Sequence, residues 1–234
     1  MQLKNPKTTT DRRGFLGKLA LGAGAVGIAS LSLPLRVAAE TEKISFPGDD
    51  DPDAWFNKIK GKHRIVFDTT GPHGIFPFAW VSAFTMTNAM TGTPENDCSE
   101  VIILRHESAP FAMEDRLWAK YQLGEVFKIT DPATKAPSVR NIFWQPKPGD
   151  FSVPGIGNLQ IGINQLQDNG AMFCVCDIAI TIFSAMFAQK LNMDAGEVKK
   201  DILSGILPGV EVVPSGVWAV GRAQEHGCAY CFVG

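Results

Sequence analysis

The sequence predicts an α/β domain, a three-layer Rossmann-like arrangement with helices on both faces of a mainly parallel five-stranded sheet. Three observations lead to this class. Short runs rich in β-favouring side chains alternate with longer apolar segments of helical length. Gly, Pro, Asp and Ser punctuate the boundaries between these segments. One run, residues 100–106, is hydrophobic in the manner of a strand that is covered on both faces.

The first half of the predicted domain supplies two strand–helix units. Residues 63–69 (HRIVFDT) form the first strand, and a turn rich in Gly and Pro leads to an apolar helix over 76–90. Residues 100–106 (EVIILRH) form the second strand, followed by a helix over 111–123. A short helix over 55–59 is expected to pack on the edge of the domain.

The second half is organised around residues 171–191. The apolar run 171–176 is expected to be a buried strand that turns directly into a buried helix, with Asp177 as its N-cap. A helix over 158–167 leads into this strand. The remaining elements are a helix over 194–203 starting at an Asp cap, a strand over 209–213, a helix over 217–225 with a glycine past its end, and a strand over 228–233.

Periodicity disappears between the two halves. Residues 130–155 contain five prolines and few apolar repeats, which predicts a long insertion at about 128–155 of the domain. Loops of this length are usually functional lids or oligomer contacts.

The first 39 residues have the features of an export signal. Residues 12–16 (RRGFL) form a twin-arginine pattern, a Gly/Ala-rich apolar region over 19–35 follows, and residues 37–39 (VAA) offer a cleavage point. An uncleaved membrane anchor is the alternative, but the Gly/Ala content makes a poor anchor. We therefore expect a periplasmic protein that contacts a membrane only through its signal peptide before cleavage. The predicted division is a signal peptide (1–39), a linker with a short helix (40–61) and the α/β domain (62–234).

The charge balance gives no support to a nucleic-acid role. The chain has 22 basic and 24 acidic residues, and removing the six basic and one acidic residue of 1–39 leaves 16 and 23. The resulting net charge near −7 provides no basic stripe to neutralise phosphates.

The predicted topology gathers chemically active side chains at one edge of the sheet, because ligands of α/β sheets bind outside the carboxyl ends of the strands. Cys176 is the main candidate, since a helix start stabilises a thiolate. His73 and His106 are candidate bases, and Asp177 beside the thiol acts against thiolate formation. Candidate ligand-binding groups at the same edge are Thr69, Thr70 and Ser215.

No metal or cofactor is predicted for the domain. Cys228 and Cys231 have CxxC spacing, but residues three apart in a strand point to opposite faces, so one metal cannot take both. Two alternatives stay open: a metal site built from His73, His106 and a carboxylate, and a Cys176 that is only a buried small apolar residue.

The C-terminal third resembles the DsrE/DsrF-like family, small α/β proteins that include sulfur-relay subunits. The matching stretches are 170–177 (GAMFCVCD), 206–217 (ILPGVEVVPSGV) and 222–230 (RAQEHGCAY). With the first strand and helix in the family order, the resemblance covers roughly residues 62–233, interrupted by the insertion. It implies that Cys176, at the end of the third strand, corresponds to the cysteine that carries a persulfide. It also implies a homotrimer or hexamer.

These observations leave two main hypotheses from different classes. The first is an exported protein that handles sulfur or thiols, with Cys176 as the sulfur carrier and a small sulfur-containing ligand. The alternative is a non-catalytic, homo-oligomeric protein that binds a small ligand or serves assembly.

Overall fold

The computed structural model describes residues 53–94 and 97–234, so the predicted signal and most of the predicted linker lie outside the described residues. The strands are β1 (His63–Thr69), β2 (Cys98–Leu104), β3 (Ser152–Val153), β4 (Gly157–Asn158), β5 (Met172–Cys176), β6 (Val210–Val213) and β7 (Ala229–Val233). The α-helices are α1 (Phe76–Met90), α2 (Asp115–Tyr121), α3 (Leu123–Val126), α4 (Ile163–Asp168), α5 (Asp177–Leu191), α6 (Ala195–Leu203) and α7 (Gly216–Glu225). Two 3-10 helices cover Ala54–Lys58 and His106–Ala112.

Five strands form one sheet in the spatial order β6–β5–β2–β1–β7, and every neighbouring pair is parallel. The predicted α/β class is confirmed, and the sheet is parallel throughout. The remaining strands, β3 and β4, form a separate antiparallel pair inside the proline-rich segment.

Helices pack on both faces of the sheet and divide the core into two parts. On the first face, Phe78 of α1 and Ile180 of α5 cluster with Phe67 of β1. On the second face, Ala219 of α7 clusters with Val66 of β1. The chain therefore leaves β5 over one face and leaves its neighbour β6 over the other. Such a divergence is a topological switch point, where α/β sheets bind ligands.

The region after β2 differs most from the prediction. A single helix over 111–123 is wrong: the chain forms the 3-10 helix His106–Ala112, then α2, and turns at Gln122, whose φ is +53°. Between these pieces Met113 is extended and forms a β-bridge with Ile206. A tertiary contact therefore interrupts what the local sequence favours as one helix.

Two other elements differ from the prediction by more than a residue, and one helix cap is a different residue. The second strand runs over Cys98–Leu104, so Arg105 follows it and His106 begins the 3-10 helix. The helix predicted over 158–167 begins at Ile163, because Gly157–Asn158 pairs in β4. Asp177 is not the cap of α5, since the Cys176 side chain accepts the capping hydrogen bond.

The proline-rich segment packs into the core of the first face. Phe143 and Phe151 are buried and stack at 4.8 Å between ring centroids, and Phe143 lies 4.5 Å from Phe78 of α1. The Arg140 side chain donates hydrogen bonds to Asp131 (2.6 Å) and Asp150 (2.9 Å), which joins the two ends of the segment. The segment is therefore a fixed wall beside α1.

Two helices expose apolar side chains. On α1, the rings of Phe76 and Trp80 stack at 5.0 Å with nearly half of each side chain exposed. On α5, Ile178 and Ile182 are more than half exposed. Across the described part of the chain, no helix is both long enough and apolar enough to cross a membrane.

Gly124 tests the packing of the proline-rich segment, and Gly221 serves as its control. A Cβ at Gly124 in α3 would overlap the backbone of Ser138, whereas a Cβ at Gly221 in α7 meets nothing within 4 Å. We expect Gly124→Ala to destabilise the fold by about 3 kcal/mol or more, because backbone cannot yield as a side chain does. Gly221→Ala should instead stabilise it by about 0.5–1 kcal/mol, since alanine favours helix. Urea unfolding of both variants measures the difference, and equal stabilities would contradict the packing.

Candidate functional site

Cys176 lies at the switch point, at the carboxyl end of β5. Its Sγ accepts a hydrogen bond from the Ala179 amide at 3.4 Å and so caps α5. Cys176 pairs in register with Val213 of β6, two residues before Ser215, the residue that precedes α7. The residue is 7% exposed. The start of a helix thus supplies an amide and a favourable dipole to this sulfur.

The Asp177 side chain forms a salt bridge with Lys199. Its carboxylate accepts a hydrogen bond from the Lys199 ammonium at 2.8 Å, and the same ammonium donates to the Thr181 hydroxyl. The salt bridge offsets the repulsion that the sequence predicts between Asp177 and a Cys176 thiolate. It also explains why Asp177 does not cap the helix.

The candidate histidines make contacts elsewhere. His106 is exposed in a left-handed backbone conformation (φ +53°), and its Nδ1 lies 3.3 Å from the Thr70 carbonyl oxygen. His73 is exposed and lines a pocket against the proline-rich segment. The hydrogen bond described for Cys176 Sγ comes from Ala179, so neither imidazole is hydrogen-bonded to the thiol.

The three predicted ligand-binding residues stand at the same edge in different environments. Thr69 is fully buried, and its hydroxyl has no hydrogen-bond partner among the described residues. The Thr69 carbonyl instead accepts a bond from the Ser108 hydroxyl at 2.6 Å. Thr70 and Ser215 are partly buried. Thr70 follows β1 and Ser215 follows β6, so the two residues stand at separate strands of this edge.

A cluster of Arg105 and Tyr230 around Asp68 stands beside this edge, and sequence reasoning missed Arg105. The guanidinium donates from Nε to Asp68 Oδ1 (2.5 Å) and from Nη2 to Oδ2 (2.8 Å), a bidentate geometry. The Tyr230 hydroxyl also donates to Asp68 Oδ2 at 2.8 Å. The Asp68 side chain is 3% exposed, so its charge depends on these donors. The sequence gives no signal for this pair, because Arg105 lies inside the strand predicted over 100–106.

Arg105 lies beside the end of β5, because it follows Leu104, which pairs in register with Val175. Its pKa is raised mainly by the hydrogen bond to Asp68. A Cβ at Gly216, the first residue of α7, would lie 2.6 Å from the Arg105 Cβ, so only glycine lets the arginine pass beneath the helix. Asp68 and Gly216 thus fix the Arg105 side chain at this edge of the sheet.

Other cysteines have environments that keep them protonated. Burial raises the pKa of Cys174 well above its ordinary value and raises that of Cys228 to about 11. Cys228 packs on the second face of the sheet, while Cys231 packs against the first. Among the described residues, no group of three or more His, Cys, Asp or Glu side chains could hold a metal ion.

Comparison with protein-family models, with curated proteins and with solved structures finds no match to this chain. The site is therefore interpreted from its own geometry.

The Asp68–Arg105 pair gives a direct test of the site's framework. Arg105→Gln leaves a nearly buried carboxylate without its cation and should cost about 3 kcal/mol of unfolding free energy. Adding Asp68→Asn to it should restore part of that loss, because no charge is then stranded. Lys120→Gln, which removes an exposed partner of Asp201, is the control and should cost less than about 1 kcal/mol. Chemical denaturation compares the variants, and an Arg105→Gln cost no larger than the control would refute the role of the pair.

Proposed function

We propose that this chain is an exported, DsrE-like sulfur- or thiol-handling protein in which Cys176 carries a sulfur atom as a persulfide. The observation that supports this most is the environment of the Cys176 sulfur. The sulfur ends a central strand at the switch point and accepts the Ala179 amide, and Arg105 follows the neighbouring strand in the adjacent register position. An amide at a helix start favours a negative charge, and an anionic sulfur is the nucleophilic form.

The proposed step is a transfer between two sulfur atoms. The Cys176 thiolate attacks the terminal sulfur of a donor persulfide, the donor's S–S bond breaks, and the donor leaves as a thiolate. Cys176 then holds that sulfur as a persulfide, and no external oxidant or reductant is needed. Cys176 is only 7% exposed, so a donor can reach it only if the terminal sulfur lies at the end of a thin, extended part of the donor molecule.

In this proposal the groups that assist Cys176 are not the two histidines that the sequence offered as bases. The Ala179 amide is proposed to hold the sulfur, Arg105 to attract the incoming negative charge of the donor, and the Lys199–Asp177 pair to keep the carboxylate charge balanced. The periplasmic location is part of the proposal and rests on the twin-arginine pattern at residues 12–16.

Intact mass spectrometry tests the carrier role. After incubation of the folded protein with glutathione persulfide, the wild type should gain one sulfur atom and Cys176→Ser should gain none, because serine is no sulfur nucleophile. Cys231→Ser is the matched control, since burial raises the pKa of that half-buried thiol, and it should still gain one sulfur. No gain in the wild type, or an equal gain in Cys176→Ser, would refute the carrier role. The same spectrum from protein isolated from its compartment reports signal cleavage.

The exposed apolar side chains favour a second proposal, self-assembly into a homotrimer or hexamer. On α1 and α5 the exposed apolar side chains are Phe76, Trp80, Met86, Met90, Ile178, Ile182, Met186 and Leu191. Helix α1 has no charged residue in its 15 positions. Large exposed apolar patches on soluble proteins are usually interaction sites, and an uncharged surface can meet its own copy without charge repulsion.

Sedimentation velocity tests the assembly proposal. The wild type should sediment as a trimer or hexamer, and Trp80→Lys or Ile182→Lys should shift it to smaller species by placing a charge in an apolar interface. Val217→Lys is the control, because Val217 is 68% exposed but lies on α7. A monomeric wild type, or three variants with the same assembly as the wild type, would contradict this surface as the interface.

A further inference from the structure

A pocket of about 380 Å³ lies between the β1–α1 turn and the proline-rich segment. Its apolar lining comes from Ile75, Ile129, Ile142 and Phe151, of which the last three are buried by more than nine-tenths. The volume is at the lower end of the range for small-molecule sites. It therefore suits a compact ligand with an apolar part.

The walls of this pocket are held in place before any ligand arrives. Arg140 bridges Asp131, next to lining residues Thr130 and Pro132, and Asp150, which itself lines the pocket. The Ser138 amide donates to the Ile129 carbonyl at 2.8 Å, which fixes the strand-like side of the wall. A preformed site loses less entropy when it binds.

Two residues of opposite charge line the pocket. Lys128 lines it, is exposed, and makes no salt bridge with a described residue. The Asp150 carboxylate also lines it, with both of its hydrogen bonds, from Arg140 and from the Lys147 amide, received by Oδ2. Its Oδ1 keeps no hydrogen-bond partner among the described residues. Because Arg140 serves two carboxylates, the cluster of Arg140, Asp131 and Asp150 retains one negative charge.

We infer that this pocket binds a small zwitterion, an α-amino acid with an apolar side chain. The ligand's carboxylate pairs with Lys128, with His73 beside it as a second donor, and its ammonium faces Asp150 Oδ1. Its side chain packs on Ile129, Ile142 and Phe151. A simple carboxylate would meet the uncompensated charge of Asp150, and a simple amine would leave Lys128 unpaired. This site does not depend on Cys176 or on the proposed sulfur transfer.

Calorimetric titration with three probes of one shape tests the inference: L-phenylalanine, 3-phenylpropionate, which lacks the ammonium, and phenethylamine, which lacks the carboxylate. L-phenylalanine should bind the wild-type protein at least about tenfold more tightly than either probe, since each lost charged hydrogen bond is worth at least one factor of ten. Binding of 3-phenylpropionate as tight as that of L-phenylalanine, or no heat from L-phenylalanine in the millimolar range, overturns the proposal.

Variants then locate the binding. Lys128→Gln should weaken L-phenylalanine about tenfold and leave phenethylamine unchanged, because only the carboxylate loses its partner. Lys135→Gln removes an exposed lysine of the same segment that does not line the pocket, and it should leave all three probes unchanged. Equal binding of L-phenylalanine by Lys128→Gln and the wild type overturns the assignment. Both lysines are exposed, so neither variant disturbs the core.

Discussion

The reversal of the chain between β6 and β7 is the constraint on which the rest of the molecule depends. Right-handed crossovers carry the chain step by step from β1 to β6 over the first face. The last crossover returns over the second face, with α7, to place β7 beside β1. The divergence opens between β5 and β6, and Cys176 is at its margin because it ends β5. A sheet wound without this reversal would have no switch point beside the sulfur.

The same reversal explains the Arg105 cluster. Tyr230 comes from the returning strand β7, Asp68 from β1 and Arg105 from the turn after β2, so the three meet only once β7 has docked. Helix α7 begins over Arg105 at Gly216, where a larger residue could not fit. Folding of the last third of the chain therefore completes both the ion pair and the surroundings of the thiol.

Features fixed by local chemistry could be predicted from the sequence, and features fixed by distant contacts could not. The strand at 63–69 and the helix at 76–90 have the predicted bounds, because Gly and Pro mark the turn between them. The helix predicted over 111–123 fails through the bridge from Met113 to Ile206, residues far apart in the chain. The site divides in the same way: the position of Cys176 follows from a local strand–helix junction. By contrast, the role of Cys176 as the cap of α5 goes with the salt bridge between Asp177 and Lys199, which are distant in the sequence. The position of the Arg105 side chain depends on the carboxylate of Asp68, 37 residues away.

The central proposal is that Cys176 carries a persulfide whose anionic sulfur would be held by the start of α5 and by Arg105. A crystal structure of the protein after reaction with a persulfide donor tests this most directly. The account predicts one added sulfur atom on Cys176 Sγ, in contact with the Arg105 guanidinium, with the Asp68–Arg105 bond retained. Added sulfur on another cysteine, or on Cys176 with Arg105 turned away from it, would contradict the account.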